Sequence, residues 1–159
     1  MTVSNTAIVL SAEPRGVFKE GIVSGTPKPG TIMQIKESTE PVGGKHTWEV
    51  FDADENGSQR LIAVLLEDSL QGKTVSDAYV DGDQCFLYCP IPGDELNVLL
   101  ENQVGTSDSF AIGDLLRVED GTGKLLATSG TPESEPFVVM ETLSAITADS
   151  LCHVMFTGY

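Results

Sequence analysis

Apolar residues recur along this chain in short runs, each broken within a few positions by Gly, Pro, Asp or Asn. No window sustains the ~3.6-residue period of an amphipathic helix, so little helix is expected. The clearest stretch runs from Tyr79 to Leu100. Within it Gln84 to Cys89, QCFLYC, joins aromatic and small apolar residues in the manner of a largely buried strand. Pro90, Pro92 and Gly93 end that strand, because two prolines remove two ladder donors and Gly93 can adopt the positive φ of a tight turn. Glu95 to Glu101 then forms a second apolar run. A parallel crossover needs roughly a dozen residues or more, so the two strands form either a hairpin or a corner between sheets.

The same phrasing recurs elsewhere. Thr31 to Lys36 and His46 to Phe51 alternate as strands. Arg60 to Leu66, RLIAVLL, is continuously apolar, the pattern of a strand buried on both faces. Ala111 to Glu119 carries a turn at Gly113-Asp114, and Asp120 to Gly123, DGTG, is a hairpin connection into Lys124 to Thr128. Pro136 to Leu143 and Leu151 to Phe156 supply the last strands, with one helical turn expected over Ala145 to Ser150. About ten short strands at regular spacing predict an all-β fold, a small β-barrel or β-sandwich. The first 28 residues are rich in Gly and Pro with only short apolar patches. They read as an extended N-terminal arm (1–28) ahead of a single β-domain (29–159), or else as a frayed terminus with one or two edge strands.

Composition narrows the possibilities. The chain has 159 residues, and one of this size buries roughly 70% of its unfolded surface, enough for a substantial core. Twenty-four acidic residues against nine basic ones give a net charge of −15. Such a surface repels phosphate backbones and anionic membranes, which argues against nucleic-acid and membrane partners. It favours solubility at high local concentration, or alternatively a requirement for cations or a basic partner surface. No apolar run approaches the ~18 residues of a membrane span. The first residues lack the basic start and long apolar core of a signal peptide, so synthesis in the cytoplasm is expected.

Candidate chemistry is sparse. Cys85 and Cys89 on one strand would lie about 13 Å apart at ~3.3 Å per residue. That exceeds the ~7 Å Cα separation a disulfide tolerates, so with Cys152 they read as buried small hydrophobes. A zinc site drawing on His46 and His153 has no familiar ligand spacing. Asp52, Asp54 and Asn56, followed by Gly57, match the first half of a calcium loop. The position of the bidentate glutamate is Ala63, however, and the flanks read as strands, so an Asx-rich hairpin turn competes with a cation site. Trp48 reads as core, with sugar stacking as the alternative. No feature activates a serine, histidine or carboxylate, and the glycine-rich pieces lack the lysine and helix of a phosphate loop. No enzyme, cofactor or metal is expected.

Several segments together resemble the head decoration, or capsid cement, proteins of tailed bacteriophages. They are PGTIMQIK from Pro29, the run from Leu61 to Gln84, IPGDELNVLL from Ile91, AIGDLLRVEDGTGKLLATSG from Ala111 and EPFVVMETLS from Glu135 with its closing strand. The resemblance implies a small β-domain on the outer capsid surface of the virion. Its partner would be the major capsid protein, which it clamps as a homotrimer against internal DNA pressure. Val3, Ala7, Ile8, Val9, Leu10, Val17, Phe18 and Ile22 are then the expected capsid-contact residues. The competing expectation is a calcium- or carbohydrate-binding β-module of a phage tail or adhesin.

Overall fold

The computed structural model describes residues 8–10, 13–37, 39–52, 61–101, 108–127, 135–146 and 148–158. Among them the chain forms twelve β-strands, one 3-10 turn at Ser69–Gln71, and no α-helix. The expected all-β barrel with little helix is what the chain adopts, and it does so twice. Strands β1 (Val17–Val23), β2 (Ile32–Ile35), β3 (Thr47–Val50), β4 (Ile62–Leu65) and β5 (Gln84–Cys89) close a first barrel in the order β1-β3-β2-β4-β5. A second barrel contains β6 (Glu95–Leu100), β8 (Leu115–Val118), β9 (Leu125–Ala127), β10 (Phe137–Val139) and β12 (Ser150–Phe156), in the order β10-β12-β6-β9-β8. Strands β7 (Asp108–Phe110) and β11 (Leu143–Ile146) form a separate two-stranded sheet.

The Pro-Ile-Pro-Gly segment is the corner between the barrels rather than a hairpin, since β5 closes the first and β6 belongs to the second. Gly93 takes φ 96° there, and its amide donates to the Phe156 carbonyl at 2.8 Å. The apolar run of β4 is explained by two cores. Ala63 and Leu65 point into the first barrel with Val23, Met33, Trp48, Cys85 and Leu87. Ile62 and Val64 point outward and join Leu96, Val98, Leu116, Phe137 and Val154 of the second barrel. The interior of the second barrel is therefore continuous with the outer face of the first.

Backbone contacts reinforce that junction. The turn of the β8–β9 hairpin, predicted from DGTG, reaches across to the first barrel. There the Gly121 amide donates to the Phe51 carbonyl at 3.0 Å and the Gly123 carbonyl accepts from the Ile32 amide at 2.7 Å. Gly123 has φ 62°, and a Cβ at this position would overlap the Ile32 carbonyl oxygen, so only glycine permits this approach.

Two expectations need correction. Residue 28 does not divide an arm from a body: β1 pairs with β5 from Val17↔Cys89 to Ile22↔Gln84 and is integral to the first barrel. Farther upstream, Val9 bridges Leu96 and the Leu10 amide donates to the Glu95 carbonyl at 2.9 Å. Strand β1 is thus a wall strand of a closed barrel, with β3 on one side and β5 on the other, and this segment belongs to the body. Its glycines do not mark missing core; a Cβ on buried Gly21 would overlap the Trp48 indole, so the small residue lets the ring fill the barrel. The helical turn expected over Ala145 to Ser150 is also replaced. Leu143 and Ile146 pair with Phe110 and Asp108 of β7, and Ser150 opens β12, because strand pairing overrides a weak local preference.

Candidate interaction surface

Strand β1 is paired unequally on its two edges. Along one edge six residues pair antiparallel with β5. Along the other, only Ile22 and Val23 pair, in parallel, with Thr47 and Trp48 of β3. The Ile22 amide donates toward β3, to the His46 carbonyl at 3.0 Å, whereas the Val23 amide donates to the Asp83 carbonyl on the β5 side at 2.9 Å. Strand alternation then directs the N–H and C=O groups of Phe18 and Glu20 away from β5. Neither residue's backbone has a hydrogen-bond partner beyond β5 among the described residues. The β3 ladder stops short of them because the chain folds into the Val42–Lys45 turn. Lys45 Nζ meets Glu20 Oε2 at 2.8 Å where the two strands part.

The side chains on this edge are conspicuous. Val17 is 51% exposed and Phe18 57% exposed, although both are large and apolar. Phe18 is held in place, since its ring lies 4.8 Å from that of Tyr88 at 53°. Tyr88 is itself fully buried and belongs to the core shared by the barrels.

A polar clamp anchors this end of β1. Tyr88 Oη donates to Asp94 Oδ2 at 2.7 Å and accepts from the Gly16 amide at 2.7 Å. Asp94 also accepts from the Ile91 amide at 2.9 Å and the Arg15 amide at 3.4 Å, while Arg15 Nη2 donates to the Pro92 carbonyl at 2.9 Å. The start of β1 is thereby tied to the corner between the barrels. Burial alone would push the Asp94 carboxyl up. The hydrogen bonds from Ile91, Tyr88 and Arg15, with the Arg15 guanidinium nearby, outweigh that and hold it below the ordinary aspartate value. Burial, with the Asp94 carboxylate as hydrogen-bond partner, pushes the Tyr88 phenol up to about 12. Sequence reading placed Tyr88 in a strand and Asp94 beside a turn but did not join them. The available signal was the aspartate closing an Ile-Pro-Gly-Asp turn, where its side chain can bond the backbone three residues earlier.

The other candidates separate clearly. Ile8 is completely buried in the shared core, which removes it from the capsid-contact set as an accessible residue. Val9, Leu10 and Ile22 are half-buried, and Val3 and Ala7 lie outside the described residues. Trp48 is 2% exposed inside the first barrel and presents no face to a sugar. Asp52 is half-buried just after β3, while Asp54 and Asn56 lie outside the described residues. Cys85, Cys89 and Cys152 are free and buried, and burial raises each thiol, Cys85 and Cys152 to about 12. His46 is exposed, and His153 Nε2 lies 2.8 Å from Glu95 Oε2 on the second barrel. Among the described residues no three His, Cys, Asp or Glu side chains converge as metal ligands. A groove of about 730 Å³ at the barrel junction is lined by Lys28, Thr31, Thr122 and Lys124. One of its lysines is already engaged, as Lys124 Nζ contacts Asp149 Oδ2 at 2.7 Å.

No known family matches the chain, and no curated protein matches it.

Proposed function

We propose that this chain is a non-enzymatic capsid cement protein, which binds the outer surface of an assembled tailed-phage head and stabilises it against internal DNA pressure. The observation that carries this reading is the exposed Phe18 ring, packed on Tyr88, on a strand whose outer edge is unpaired at Phe18 and Glu20 and whose start is clamped to the corner between two barrels. A rigidly presented apolar contact suits adhesion, in which many copies each add a modest interface and multivalency resists rupture. The net charge of −15 keeps the free protein soluble and away from the genome, and suits a basic contact surface on the major capsid protein. A homotrimer on the virion's outer surface belongs to this reading through the family resemblance. The carbohydrate alternative loses its stacking aromatic, since Trp48 is enclosed.

The test is co-sedimentation of the protein with heads that lack it, taken from the phage encoding this chain, in expanded and unexpanded forms. Saturable binding to expanded heads with a raised head melting temperature is the expected result. Absence of binding to both forms overturns the proposal.

A further inference from the structure

We infer that the outer edge of β1, from Val17 to Glu20, is a strand-addition site. It receives an extended segment of the capsid subunit as an additional strand beside β1. The inference rests on the cement reading and specifies how the contact is made.

The recognition chemistry is set by the backbone. Phe18 and Glu20 direct N–H and C=O groups outward at the spacing of a β-ladder, and an extended polypeptide is the ligand that offers matching groups in alternation. All four residues from Val17 to Glu20 are exposed, so the edge is open. Its base is firm, with β5 on the inner edge and Phe18 packed on Tyr88. The open length is short, which limits the added strand to a few paired residues. Phe18 and Glu20 lie on one face, and Glu20 is already engaged by Lys45, so the incoming segment would place an apolar side chain near Phe18.

A second copy of the chain is a poor occupant. The antiparallel self-pairing that satisfies the outward groups of both residues sets Phe18 against Glu20 of the other copy. It therefore sets Lys19 directly against Lys19, and like charges in opposed positions destabilise a pair. A lysine on a short edge is a common protection against self-association and leaves pairing with a different sequence open.

The deciding comparison is Phe18→Pro against Phe18→Ala. Both remove the ring, but only proline also removes the outward-facing amide. Proline is tolerated on an edge strand where its missing N–H faces away from the ladder. Phe18→Pro is expected to bind expanded heads about tenfold more weakly than Phe18→Ala, the effect of losing one ladder hydrogen bond and obstructing its neighbours. In the wild-type protein the Phe18 and Glu20 amides should exchange with solvent at least about tenfold more slowly on heads than free. The exchange measurement decides the matter if the proline variant does not fold. Head binding by wild type with unchanged exchange at both amides overturns the strand-addition site while leaving the cement reading intact. Equal head binding by the two variants does the same. Slowed exchange at these amides with rising protein concentration in the absence of heads assigns the edge to a second copy and overturns the capsid segment. Failure of wild type to bind heads overturns both.

Discussion

The two barrels have five strands each and opposite relations to their surroundings. The first closes through β1 and β5, paired at six consecutive positions, around an interior filled by its own side chains. The second is weakest between β6 and β9, which share the single pairing Leu100↔Leu125, whereas the narrowest seams of the first hold two. Much of the remaining β6 edge is taken by other parts of the chain, with Val9 bridging Leu96 and the Leu99 amide donating to the Gly30 carbonyl at 3.0 Å. Its interior continues into the outer face of β4 and β5. Five strands in a ring therefore do not by themselves make an independent unit. The first barrel has a sealed core, and the second completes its own by resting on the first.

The buried thiols offer a direct way to break this comparison, since Cys85 and Cys89 report on the first interior and Cys152 on the shared core. Trp48→Ala and Phe137→Ala should each cost about 3–5 kcal/mol, because both remove a large buried ring. Their labelling patterns should differ. With Trp48→Ala a thiol reagent should reach all three cysteines together, since the second barrel loses its support. With Phe137→Ala, Cys152 should label first while Cys85 remains protected. Simultaneous labelling in Phe137→Ala would show that the molecule opens as one unit and would remove the asymmetry.

Next in size are changes at the junction. Gly123→Ala forces a Cβ against the Ile32 carbonyl and should cost about 1–3 kcal/mol. Denaturant melts should show the loss, with Cys152 labelling accelerated more than Cys85. Asp94→Ala leaves the Tyr88 hydroxyl and the Ile91 amide without their acceptor and should cost about 1–3 kcal/mol. This carboxyl also carries a pH signature. Its folded value lies below the ordinary aspartate value of about 3.9, so its contribution is complete above that value. The contribution is lost as the pH falls through the lower, folded value. Urea midpoints measured from pH 7 downward should therefore fall less steeply in acid for Asp94→Ala than for wild type, and identical profiles would remove Asp94 from its anchoring role.

The smallest expected effect is at the exposed edge. Val17→Ser should change stability by no more than about 0.5 kcal/mol, since the side chain is half exposed. A thermal melt checks this, and a larger loss would make Val17 a part of the barrel wall instead of a presented contact.

The sequence alone determined the all-β class, the positions of most strands, the break at Pro90 to Gly93 and the hairpin at Asp120 to Gly123. These are local properties: strand alternation, the missing amide of proline and the φ range of glycine act within a few residues. It also indicated that β4 is buried on both faces, though not that the faces belong to different cores. Only the tertiary structure decided that the corner separates two barrels, that Ile8 is core while Phe18 is exposed, and that Tyr88, Asp94 and Arg15 form one clamp. Each of these depends on which distant strands pair. Short β-strands carry little information about their partners, because many registers satisfy the same alternation until long-range pairing selects one.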